Sequence, residues 1–246
     1  MSKIICIAYQ PGAFGSFVGW TIERFTAARK QYQPPVIDDP LASDGSSHSY
    51  ASFCKIKKNS EFVEDVYDAR RTESPYGYQI YAGWPQGLGE DLLWSMNRVA
   101  NNLGTFDKMF VIECDNEDDH FLRYLRNEST LDRDRWYSMI EIKNSEDLFK
   151  RLIYDIESGR LPTDYQHSQV CRIGFSEILS GDPTELFDRI FKHLDSASCD
   201  RELFLSTIDR MRSMQDFYIE RLDAIRSGEF DTPAEEAIHR YIIGDK

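Results

Sequence analysis

Cysteine is scarce in this chain and never paired in the sequence. Cys6, Cys54, Cys114, Cys171 and Cys199 are odd in number, scattered, and form no CxxC. That excludes a disulfide framework and a structural zinc knuckle, and it fits a reducing compartment. Cys6, Cys114 and Cys171 fall inside apolar, strand-like runs and read as small buried hydrophobes. Long apolar runs are lacking too. None approaches the roughly 20 residues that cross a bilayer, and Met1-Ser2-Lys3 leads into a strand pattern rather than a signal peptide. The expectation is a cytoplasmic protein without a membrane partner. Positive charge is also short, with 29 Lys and Arg against 42 Asp and Glu and a net charge of −13. A surface of that sign repels phosphate backbones, so no nucleic acid is expected as a partner. A small anion remains compatible, because backbone N–H groups can hold it locally. The five histidines include no HxxxH, HExxH or Cys/His spacing, so catalytic zinc is unsupported and no metal is expected.

With 246 residues, 41% of them hydrophobic, the chain can bury one substantial core, and residues 1–246 read as a single domain. Residues 3–9 (KIICIAY) form a continuous apolar, β-branched run, the pattern of a strand buried on both faces. From Ser16 to Arg29 apolar side chains follow helical spacing. Residues 31–60 are too polar and too broken for regular structure before Tyr50, and read as a long active-site loop or lid. Further strands are expected at Tyr78–Trp84, Lys108–Cys114, Trp136–Ile142 and Gln169–Ile173, and helices at Leu88–Leu103, from Asp115 through about Arg126, and around Leu148–Ile156. Asp182-Pro183-Thr184-Glu185 combines an N-cap, an N1 proline and a capping-box glutamate. A helix therefore opens there, and one long helix is expected from about Asp200 to Ile225, making residues 183–246 a helical C-terminal part. Strands alternating with helices predict an α/β fold, three-layer α/β/α around a mainly parallel sheet.

The sharpest feature is Pro11-Gly12-Ala13-Phe14-Gly15-Ser16-Phe17, between the first strand and the first helix. In that position loop N–H groups and the positive end of the helix make an anion cradle. The candidate ligand-binding residues are Gly12, Ala13, Phe14, Gly15, Ser16 and Phe17. A Walker A loop would need a lysine, and none stands between Lys3 and Arg24. His48, in the polar loop, is the candidate general base on an acceptor hydroxyl. His193, near a helix end, reads as a favourable C-terminal cation. Glu113, Asp115 and Asp119 lie close to a strand end and can ligate Mg²⁺; alternatively Asp115 N-caps a helix and Glu117 and Asp118 complement its dipole. Trp84, among glycines and tyrosines, is a candidate stacking platform at the same sheet edge.

Tyr9-Gln10-Pro11-Gly12-Ala13-Phe14-Gly15-Ser16-Phe17 resembles the 5′-phosphosulfate loop of the sulfotransferase family, which has the P-loop-containing nucleoside triphosphate hydrolase fold. Arg172 through Leu194, with its aromatic-acidic-Leu-x-x-Asp-Pro segment, is similar to that family's late strand, loop and helix. The resemblance implies a divergent sulfotransferase-like protein. It also implies 3′-phosphoadenosine 5′-phosphosulfate as donor and a small-molecule or protein acceptor bearing a hydroxyl or amine. The chain departs from the family where the chemistry sits. No basic residue occurs in the loop, Gly83-Trp84 stand where many members present a catalytic histidine, and Glu113, Asp115 and Glu117 stand where Arg and Ser usually meet the 3′-phosphate. Two alternatives stay open. One is a degenerate sulfotransferase-like fold acting through a protein partner or as a homo-oligomer. The other is a divergent P-loop nucleotide or metabolite kinase, with Mg²⁺ at Glu113 or Asp115 and a cation from Lys55, Lys57 or Lys58.

Overall fold

The computed structural model describes residues 3–10, 12–26, 39–42, 78–83, 106–130, 142–158 and 166–245. Four strands, β1 (Lys3–Tyr9), β2 (Tyr78–Gly83), β3 (Lys108–Glu113) and β4 (Val170–Gly174), form one sheet in the order β2-β1-β3-β4. Every pairing is parallel, with Lys3 opposite Tyr78, Ile5 opposite Lys108 and Met109 opposite Val170. The chain is thus an α/β protein, as expected. Position in the sheet explains the composition of each strand. In β1 the run Ile5–Ala8 is buried without alternation, as is Met109–Glu113 in β3, because both strands have a neighbour on either side and the sheet packs among helices. In β4, buried Cys171 and Ile173 alternate with half-buried Val170, Arg172 and Gly174.

Among the described residues there are eight helices: α1 (Gly15–Phe25), α2 (Glu117–Thr130), α3 (Ser145–Ser158), α4 (Phe175–Ser180), α5 (Pro183–His193), α6 (Arg201–Ser213), α7 (Asp216–Arg226) and α8 (Pro233–Ile242). None is long and apolar enough to cross a membrane. The core is aromatic where α1, α5 and α6 meet. Trp20 sits edge-on to Phe25 with centroids 5.0 Å apart, Phe25 edge-on to Phe187 at 5.7 Å, and Phe187 lies 4.9 Å from Phe204. Burying one such ring contributes about 2–3 kcal/mol.

Several local expectations are revised. The single helix expected from Asp200 to Ile225 is two, broken at Met214 and Gln215, where Met214 N–H bonds back to Arg210 and Met211 carbonyls and Gln215 N–H to Arg212 in a tightened turn. The buried Gln215 side chain donates to the Met211 carbonyl at 3.0 Å and completes this cap. The expected apolar stripe survives the break: Phe204, Ile208, Met211, Tyr218, Leu222 and Ile225 are all buried. The N-cap of α2 is Asn116 rather than Asp115. Its Oδ1 accepts the Asp119 N–H at 2.9 Å, and Asp119 Oδ2 accepts the Asp115 N–H at 2.8 Å. Asn144 and Asp147 repeat the pattern at α3. His193 closes α5 but is no cation there, since burial first and Lys108 second push its pKa down. The expected elements at Leu88–Leu103 and at 136–141, with Trp84, lie outside the described residues. So does the 31–60 segment, apart from Asp39 and Pro40 through Ala42, where Asp39 pairs with Arg210 of α6.

Candidate functional site

In a parallel sheet of order β2-β1-β3-β4 the chain leaves β1 toward one side and β3 toward the other, so the crevice beyond the carboxyl ends of these two strands is the place where α/β folds bind ligands. The Gly12–Phe17 loop is there. The Gln10 carbonyl accepts the Ala13 N–H at 3.0 Å, Gly12 takes φ +84° and Phe14 φ +61°, and α1 starts at Gly15. A left-handed phenylalanine costs about 1–2 kcal/mol. Its ring offsets that by being buried, 5.1 Å from the ring of Phe175. Val18 N–H bonds to the Phe14 carbonyl, whereas the N–H groups of Gly15, Ser16 and Phe17 find no acceptor among the described residues. These are the first-turn donors that an anion would take.

Two glycines of the loop are there for space. A Cβ on Gly12 would stand 2.8 Å from the Arg123 carbonyl oxygen and 2.9 Å from Asn127 Oδ1, besides being strained at that φ. On Gly15 it would lie 1.9 Å from Cδ1 of Tyr9, whose ring covers the start of α1. Both contacts describe a loop packed closely by its own protein, between Tyr9 and the inner face of α2.

The cation missing from the loop in sequence comes from α2. The Arg126 guanidinium donates to the Gly12 carbonyl, and its central carbon lies 3.7 Å from the Phe14 ring centroid. One turn earlier, buried Arg123 pairs with buried Asp155 of α3 at 2.7 Å, and that carboxylate also accepts from Arg151 at 2.9 Å and from the Tyr124 hydroxyl at 3.0 Å. Two arginines and a tyrosine hydroxyl thus converge on one carboxylate behind the loop. Burial pushes the neighbouring Cys114 thiol up to about 12, so it is inert as a nucleophile; Cys171 likewise rises to about 11.

The β3 side has the opposite character. A cavity of about 470 Å³ is lined by Cys114 through Asp118, His120 and Ile156, with the carboxylates of Asp115, Glu117 and Asp118 exposed. Glu113, buried at the end of β3, is held by Arg172 of β4 at 2.5 Å. Asp119 is occupied as the capping acceptor of α2, and burial raises its carboxyl to about 6. Among the described residues no group of three His, Cys, Asp or Glu is arranged to hold a metal ion.

Of the expected site residues, Gly12, Ala13, Phe14, Gly15, Ser16 and Phe17 are brought together at the switch point, with Ala13, Phe14 and Phe17 buried. His48 lies outside the described residues, as do Lys55, Lys57 and Lys58. Sequence reasoning missed Arg123, Arg126 and Asn127. Their spacing on one helical face, beside buried Leu122 and Tyr124, was the available sign. Comparison with family models, curated proteins and solved structures returns no match.

Proposed function

We propose that this chain is a sulfotransferase-like domain of the P-loop type, a three-layer α/β/α unit that binds the phosphosulfate end of an adenosine-phosphosulfate donor and serves sulfuryl transfer to a hydroxyl or amine. The observation that carries this reading is the placement of Arg126 against a loop whose first helical N–H groups are without acceptors among the described residues. N–H donors at a helix start together with one guanidinium are what a transferring sulfuryl or phosphoryl group requires for charge stabilisation. The residues fit the 5′ end of such a donor. They do not fit its 3′-phosphate at the end of β3, where Asp115 and Glu117 stand exposed. When bound, the donor supplies the activated sulfuryl group; the protein's own share is to orient it by Gly15–Phe17 and to neutralise charge by Arg126. His48 is the proposed proton acceptor on the incoming hydroxyl.

A second reading draws on the closure of the same corner. With Arg126 engaged on Gly12 and the Tyr9 ring over Gly15, the loop is a structural joint, and the fold works through contacts with another protein. Titration with adenosine 3′,5′-bisphosphate, with ATP and Mg²⁺ in parallel, separates the two by thermal shift and calorimetry. A ligand at 100 times its dissociation constant adds about 2.7 kcal/mol of stability. Saturable bisphosphate binding, lost in Arg126→Met, supports the donor site. Absence of binding by either nucleotide favours the protein-binding reading.

A further inference from the structure

Away from the β1 loop, a pocket of about 350 Å³ opens between the start of α2, α4 and the α6–α7 junction. Leu122, Leu179, Ile219 and Leu222 give it apolar walls. Its polar groups are unevenly matched. Two arginines line it, and both are engaged: Arg226 bonds Asp118 at 2.6 Å and Asp223 at 3.0 Å, while Arg212 donates to the carbonyls of Ile178, Glu177 and Gly181 at 2.8–3.2 Å. Among the described lining residues, two carboxylates and one amide oxygen stand without a cation. Gln215 is 2% exposed; its amide nitrogen donates to Met211, and its Oε1 receives no hydrogen bond from the described residues. Asp119 is 3% exposed and bonded to backbone N–H, with no ion-pair partner among the described residues. Asp216, at the first position of α7 and exposed, likewise has no ion pair among them.

A buried acceptor without a donor costs about 1–3 kcal/mol, and a buried carboxylate without a cation costs more. Both costs are relieved by one kind of ligand. We propose that this pocket binds a small organic cation, a guanidinium or primary ammonium on a short aliphatic stem, with the charged end on Gln215, Asp119 and Asp216 and the stem along Leu122, Ile219 and Leu222. A guanidinium presents five donors and no acceptor, which suits the unmatched oxygens of Gln215, Asp119 and Asp216. An anion is disfavoured, because both arginines among the described lining residues are already bonded. The site is independent of the β1 loop, so it stands or falls apart from nucleotide binding. The cation can be a free amine or the arginine or lysine side chain of another protein.

The test is calorimetry on the full chain with agmatine, with a capped Gly-Arg-Gly peptide as the side-chain source, and with n-butanol and butyrate as neutral and anionic controls. Saturable binding of agmatine or of the peptide is expected, weakening as salt rises, with none from butanol or butyrate. Binding of the peptide alone assigns the cation to a partner's side chain. Gln215→Met should weaken binding about tenfold or more. Asp216→Asn, at an exposed position that leaves folding intact, should weaken it severalfold. The proposal is overturned if neither cation binds saturably, or if both variants bind as tightly as the unmodified chain.

Discussion

Arg126 and Gly12 are 114 residues apart in sequence, and the guanidinium of the first donates to the carbonyl of the second. Because the same group covers the Phe14 ring, one side chain of α2 holds both left-handed residues of the turn. Arg126→Met keeps the stem and removes the charged hydrogen bond and the cation–π contact. The expected loss is about 2–3 kcal/mol in urea denaturation. Arg126→Lys should recover only part of it, since an ammonium lacks the planar fork. An unchanged midpoint in the methionine variant would remove Arg126 from the support of this loop.

Gly15→Ala places a methyl group inside the Tyr9 ring, 1.9 Å from Cδ1. The ring or the start of α1 has to move, at a cost of about 1–3 kcal/mol. In a double-mutant cycle with Tyr9→Ala the penalty of Gly15→Ala should largely disappear. Additive penalties would mean that the two positions do not meet.

Burial raises the Asp119 carboxyl to about 6 from an ordinary 3.8. The folded chain therefore holds this proton more tightly than the unfolded one. The associated stability is full below the ordinary value and is lost as pH rises through about 6, amounting to about 3 kcal/mol at 1.36 kcal/mol per unit. Unfolding free energies measured across pH 4 to 8 should show this fall for the unmodified chain relative to Asp119→Asn, which has no proton to lose. Parallel profiles for the two proteins would contradict it.

Asp155 receives Arg123, Arg151 and Tyr124, and both Asp155 and Arg123 are 2% exposed. Asp155→Ala strands the Arg123 charge in the interior and should cost about 3–5 kcal/mol by chemical denaturation. Arg151→Ala, which removes a partly exposed partner and leaves the buried pair intact, should cost no more than about 1 kcal/mol. Equal losses from the two variants would place the burden of the network elsewhere.

What sequence reveals here depends on range. β1 and β3 are legible because a central parallel strand is apolar on both faces, and α5 because Asp182-Pro183 starts a helix by local chemistry alone, with Asp182 Oδ1 accepting the Thr184 N–H at 2.7 Å. The same grammar announces α8 at Thr232-Pro233-Ala234-Glu235, where a full capping box forms, and it went unread. The α6–α7 break leaves no mark in the sequence, because the apolar stripe keeps its phase across Met214 and Gln215, and it shows only in the hydrogen bonds of those two residues. The loop at Gly12–Phe17 is visible as glycines in the right context, but not its neighbours. Helical spacing puts Arg123 and Arg126 on one face, but that they reach Asp155 and Gly12 is decided by tertiary packing.

The sheet order β2-β1-β3-β4 also governs how the chain is born. Of the described strands β1 is made before the others and lies between two of them, and its partners arrive only when Tyr78 and then Lys108 have been synthesised. At about 5–20 residues per second, the run Ile5–Ala8 waits several seconds with both edges and both faces unsatisfied. β4 must emerge after that before the described sheet can close, so each pairing among the described strands is a distant one and folding should be slow. A ribosome-bound chain halted before Lys108 should be cut readily by protease and captured by chaperones. One halted well beyond Gly174 should begin to resist, which makes β1 the longest-waiting of the described strands and a hazard in the biogenesis of this protein.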